Sequence, residues 1–123
     1  MITGIVNSAL EATITLRGQD LTGQTQPIDA VIDTGFNGFL TLPPARLASL
    51  GATWLYRGQA VLADGSVQTF DVYTVMVIWD GQPRRVEVDS VDAAPLAGMA
   101  LLHKHDLRIE IVPGGIVLIT PRP

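Results

Sequence analysis

Residues 29–40 read DAVIDTGFNGFL. Ile28, Ala30 and Ile32 recur at the period of a strand, and the run stops at Asp33, Thr34 and Gly35. A carboxylate closes the apolar run, and the glycines at 35 and 38 force a turn. On its own the tripeptide is a turn signal, since Asp bonds backbone two residues on and Gly accepts a positive φ.

The same alternation appears earlier, with Leu10, Ala12, Ile14 and Leu16 set against Glu11, Thr13, Thr15 and Arg17. A short strand is expected around Phe39 to Leu42. PPARLASLGA, from Pro43 to Ala52, then reads as one short helix, with Pro44 in its first turn and Gly51 at its end. From Gln59 to Trp79, QAVLADGSVQTFDVYTVMVIW predicts a long hairpin whose tip is Asp64-Gly65, a dipeptide favoured in type I′ turns. DGQPRRVEVDSV adds a turn and a strand, and DLRIEIVPGGIVLI a last hairpin through Pro113, Gly114 and Gly115. GMALLHKH supplies a second helical turn. Many short strands with almost no helix predict one all-β barrel or sandwich domain over residues 1–123.

Composition narrows the function. With 47% apolar and 16% charged residues the chain can bury a core. The net charge of −4 and the scattered Lys and Arg give no footprint for nucleic acid. The absence of cysteine removes thiolate nucleophiles, disulfides and Cys-ligated metals. No apolar run reaches the ~20 residues of a membrane span, and MITGIVNSALEATITLRGQD is not a basic start followed by an apolar core, so a cytoplasmic protein without a membrane partner is expected. No nucleophilic-serine elbow, phosphate-binding loop or zinc-binding helix motif occurs. His103, His105 and Asp106 lack the further ligands a metal needs and read as a solvated turn, so no cofactor or metal is expected. Glu11, Glu87 and Glu110 fall on the polar sides of strands and read as surface residues.

The order of motifs says more than any one of them. VIDTGFNGFLTLP is followed about thirty residues on by an Asp-Gly hairpin, then by PLAGMALL, an apolar-apolar-Gly segment, and finally by PGG and a strand. This order, over roughly residues 10 to 120, resembles the retropepsin-like (clan AA) aspartic proteases, and looks closest to their small bacterial and archaeal single-lobe members. The resemblance implies a closed acid-protease barrel, one lobe per chain with one or two short helices. It also implies a homodimer in which two chains each supply one Asp to hydrolyse a peptide or protein substrate.

Carried onto this chain, the resemblance makes Asp33 the catalytic acid or base. Thr34 would tie the two loops together across the axis, or be a plain turn residue, and Gly35 would offer its backbone to substrate. Phe36, Asn37 and Gly38 would border the substrate groove, although Phe36 reads equally well as a core aromatic below the loop. Ala63, Asp64 and Gly65, with Ser66, match a flap over bound peptide, or are an ordinary exposed hairpin. Leu96, Ala97 and Gly98 match the element that supports the catalytic loop.

Two departures stand out: Asn37 and Met99 occupy positions where retroviral enzymes carry an Asp and an Arg. Both partners of that ion pair are missing together, which can be nearly neutral. An aspartic endopeptidase is the first expectation. A non-catalytic dimer binding peptide or protein is the alternative, and a structural β-domain with Asp33 as a turn residue is a third. The last strand, GIVLITP, is expected at the dimer interface.

Overall fold

Ile14 and Leu16 face Ala30 and Ile28 across a pair of antiparallel strands, and all four are buried. The alternation seen in sequence builds the core in this way: directly opposite residues share a face, and each Ile or Leu removed from water contributes about 1.5–3 kcal/mol. The computed structural model describes residues 1–123.

Ten strands form one sheet: β1 (Ile2–Val6), β2 (Ala12–Gln19), β3 (Thr25–Ile32), β4 (Leu40–Leu42), β5 (Thr53–Val61), β6 (Val67–Trp79), β7 (Gln82–Ser90), β8 (Leu96–Ala97), β9 (His105–Ile109) and β10 (Ile116–Pro121). Two short helices complete the chain, α1 (Pro44–Ser49) and α2 (Met99–Leu102). Pro44 opens α1, Leu47 is its buried residue, and Gly51 at φ 63° follows its end.

The strands run β5-β6-β7-β4-β8-β3-β2-β1-β10-β9, and an additional pairing joins β2 to β6 through Arg17–Ile78, Gly18–Val77 and Gln19–Met76. Six strands, β2, β3, β8, β4, β7 and β6, are thereby linked in a ring, and the core of 19 buried residues draws on these strands, on β1 and β10 and on both helical segments. The other strands extend the sheet beyond that ring, leaving β5 and β9 as edges. The fold is all-β with two short helices, but it is not a clean barrel.

Several sequence expectations change. Leu10 lies outside its expected strand, exposed and at φ 61°, because β2 begins only at Ala12. The hairpin's first strand begins at Thr53 rather than Gln59. Asp64-Gly65 is not a type I′ turn: only Gly65 has positive φ, and the N–H of Gly65 and of Leu62 donate to Leu62 O and Ser66 O, a three-residue loop ending in a bulge. The type I′ geometry belongs to Asp80-Gly81, where both φ values are positive and Trp79 faces Gln82. β1 is a strand that the alternation in sequence does not mark.

The largest change concerns GIVLITP. β10 is paired on both sides, with β1 through Ile2–Ile119 and Thr3–Leu118, and with β9 through Val117–Ile109 and Ile119–Leu107. Its backbone hydrogen bonds are used inside the chain, so it is not a free edge for an interface.

Candidate active site

β8 inserts between β3 and β4, the two strands that the Asp33 loop connects. Val31 and Ile32 pair in parallel with Leu96 and Ala97, while Leu40 pairs antiparallel with Ala97. The N–H of Asp33 continues the first ladder, donating to Ala97 O at 2.9 Å. Beyond Asp33 the chain turns: the N–H of Phe36 donates to Asp33 O at 3.1 Å, and that of Gly35 to Asp33 Oδ1 at 2.9 Å.

The far side of the loop is held as tightly. The N–H groups of Gly98, Met99 and Ala100 donate to Phe39 O, Phe36 O and Gly38 O at 3.0, 2.8 and 3.1 Å. A Cβ on Gly98 would run into Gly38 O and lie 2.5 Å from Phe36 Cδ2, so only glycine permits this approach. Leu96 is fixed from below by its N–H donating to the buried Thr41 Oγ1 at 2.9 Å. Backbone bonds from both sides therefore set the loop, and Asp33 is left half-exposed with Thr34 and Gly35 exposed beyond it.

The loop separates two hollows. Asp33 and Thr34 line one of about 450 Å³, with Leu10, Val31, Ile32, Ile109 and Ile111 among its apolar walls. Phe36, Asn37 and Gly38 line a larger cleft of about 830 Å³, whose opposite wall is the stem of the β5–β6 hairpin: Gln59, Ala60, Gln68, Thr69 and Phe70. Ala63, Asp64 and Gly65 form the exposed hairpin tip and do not line either hollow. Asp64 Oδ1 accepts from the hydroxyl and N–H of Ser66 at 2.6 and 2.9 Å, and these bonds hold its carboxyl below the usual range. Phe36 is both half-buried against Gly38 and Gly98 and part of the cleft wall. Asn37 and Met99 are exposed.

Charged residues that sequence reading did not single out also reach the cleft: Arg57, Asp71, Asp89 and Asp92. Arg57 Nε stands 3.5 Å from Asp71 Oδ1, which also accepts from Trp54 Nε1 at 3.2 Å. Burial, and then the charge of Glu87, push the Asp89 carboxyl up. Asp89 ends the apolar alternation of VEVDS much as Asp33 ends that of β3, a local signal that could have marked it.

The remaining candidates stand elsewhere. His105 Nε2 accepts from the Trp79 indole at 3.3 Å and its Nδ1 lies 2.9 Å from His103 O, while His103 and Asp106 are exposed. No three His, Asp or Glu side chains come together as a metal site. Glu11, Glu87 and Glu110 are exposed and accept from Asn7 Nδ2, Tyr56 Oη and the Ile116 N–H. No helix is long and apolar enough to cross a membrane. Compared with family models, with curated proteins and with solved structures, the chain matches none.

Proposed function

We propose that the chain is one half of an aspartic endopeptidase, in which Asp33 of two copies forms the catalytic pair. The observation that carries this reading is the double backbone anchoring of the loop by Ala97 O and by the N–H groups of Gly98 to Ala100, with Asp33 half-exposed at its rim. A carboxylate on so fixed a loop can meet its copy at a defined separation. Two carboxyls brought that close cannot both ionise, so one keeps a proton. The ionised one takes a proton from water and the protonated one donates to the scissile carbonyl. No metal or side-chain nucleophile enters this chemistry. The cleft between Phe36–Gly38 and the hairpin stem provides a groove beside the loop for an extended peptide.

The test is cleavage of a broad peptide library by purified protein between about pH 4 and pH 8, with Asp33→Asn beside the wild type. General acid–base catalysis contributes about 10²–10⁴-fold, and the variant is expected to lose at least about a hundred-fold while keeping its fold. Equal turnover by the two proteins sinks the reading. A wild type that binds peptides without cleaving them points instead to a peptide-binding dimer.

A further inference from the structure

The two open edges of the sheet differ in kind. β5 shifts register between Trp54 and Tyr56, an irregularity of the sort that turns an edge away from further pairing. β9 is regular, matched to β10 through five consecutive residues from His105 to Ile109, and no strand covers its other side.

The charges on and beside β9 follow a pattern. Asp106 and Arg108 on the strand, Lys104 in the turn before it and Glu110 just after it are all exposed and alternate in sign, while His105, Leu107 and Ile109 between them are half-buried. A row of like charges would repel any copy of itself. An alternating row repels a parallel, in-register copy but fits an antiparallel one.

We propose that β9 pairs antiparallel with β9 of a second copy, about a two-fold axis through Leu107. Asp106 then faces Arg108 of the other copy, Lys104 faces its Glu110, and the two Leu107 side chains meet. An axis through Asp106 or Arg108 sets like charge on like, and one through His105 or Ile109 keeps only half of the ion pairs. Only a second copy has this two-fold self-complementarity, which is why the occupant is this same chain. Asp106 also accepts from Arg122 Nη1 at 2.7 Å through Oδ1, so the partner's Arg108 shares that carboxylate. Ile109 and Ile111 also line the hollow that holds Asp33 and Thr34, so a copy docked on β9 seats against the rim of the candidate site. The pairing rests on the homodimer reading above and names the surface it uses.

The experiment is a charge cross-test by sedimentation equilibrium on the full chain, with circular dichroism to verify that each variant is folded. Arg108→Glu alone and Asp106→Arg alone each set like charges together twice and are expected to weaken the dimer about ten-fold or more. Mixed, the two variants regain every opposite-charge contact and are expected to form a heterodimer close to wild-type strength. Should either fail to fold, Lys104→Glu mixed with Glu110→Lys makes the same comparison.

A wild-type dimer that both single changes leave intact, or a mixture that fails to recover, overturns the β9 pairing and leaves the Asp33 reading standing. Recovery on mixing together with an absence of peptide cleavage supports the pairing and removes the peptidase reading. A wild type that is monomeric at every concentration overturns both.

Discussion

Asp33 and Ala97 are joined by a 2.9 Å backbone hydrogen bond, so the candidate carboxylate hangs from a strand far along the chain. Its position therefore depends on residues that never touch it. Gly98 is the most sensitive of these, since a methyl group there meets Phe36 and the Gly38 carbonyl. Its φ of −103° is open to any residue, so the expected cost of Gly98→Ala is steric and not conformational, about 1–3 kcal/mol. Thermal unfolding should show that loss, and peptide cleavage should fall with it as the loop is displaced. Unchanged stability would mean that the loop and β8 are not in contact as described.

Thr41 is buried at 5% exposure, and its hydroxyl accepts the Leu96 N–H. Thr41→Val keeps the shape and removes the acceptor, leaving a polar group without its partner at about 1–3 kcal/mol. The urea midpoint is expected to drop accordingly. A midpoint equal to that of wild type would show that the bond contributes nothing.

Asp89 makes stability depend on pH with a definite sign. Its carboxyl is raised above the ordinary 3.8, first by burial and then by Glu87. Below 3.8 it is protonated folded and unfolded, and carries no penalty. Between 3.8 and the raised value the folded chain holds a proton that the unfolded chain has released, so stability falls as pH rises; above that window the full penalty remains. Asp89→Asn removes the penalty. Its melting temperature relative to wild type should therefore increase from about pH 3 to about pH 7, and a constant difference would contradict this account.

Local features were legible in the sequence, and long-range ones were not. Strand alternation in β2 and β3 and the helix opened by Pro44 rest on neighbouring residues. The two Asp-Gly dipeptides show where local reading fails. Asp80-Gly81 joins strands whose partners leave two residues between them, whereas Asp64-Gly65 sits in a three-residue loop, so loop length chose the turn and the dipeptide did not. β1 escaped notice because Gly4 interrupts ITGIV, yet Gly4 is there because a Cβ would strike Thr13 O on β2. The enclosure of β10, and the meeting of Arg57, Asp71, Asp89 and Asp92 at one cleft, depend on how distant strands pair and leave no mark in any short window. Asp33 is marked by its own neighbours in sequence, whereas the open edge of β9 is defined only by the order in which the strands pair.

The pairing of Ile2 with Ile119 also orders events in time. The ring from β2 to β8 uses residues 12–97 and can close without either end of the chain. β1 joins β10 only when residues from both ends meet, and contacts so distant in sequence close slowly, whereas β9 and β10 are neighbours in sequence and pair as a local hairpin. That hairpin is fixed to the rest of the sheet only when β10 pairs with β1. The proposed association through β9 therefore has its full surface, with the hollow beside Asp33, only once both ends of the chain are in place.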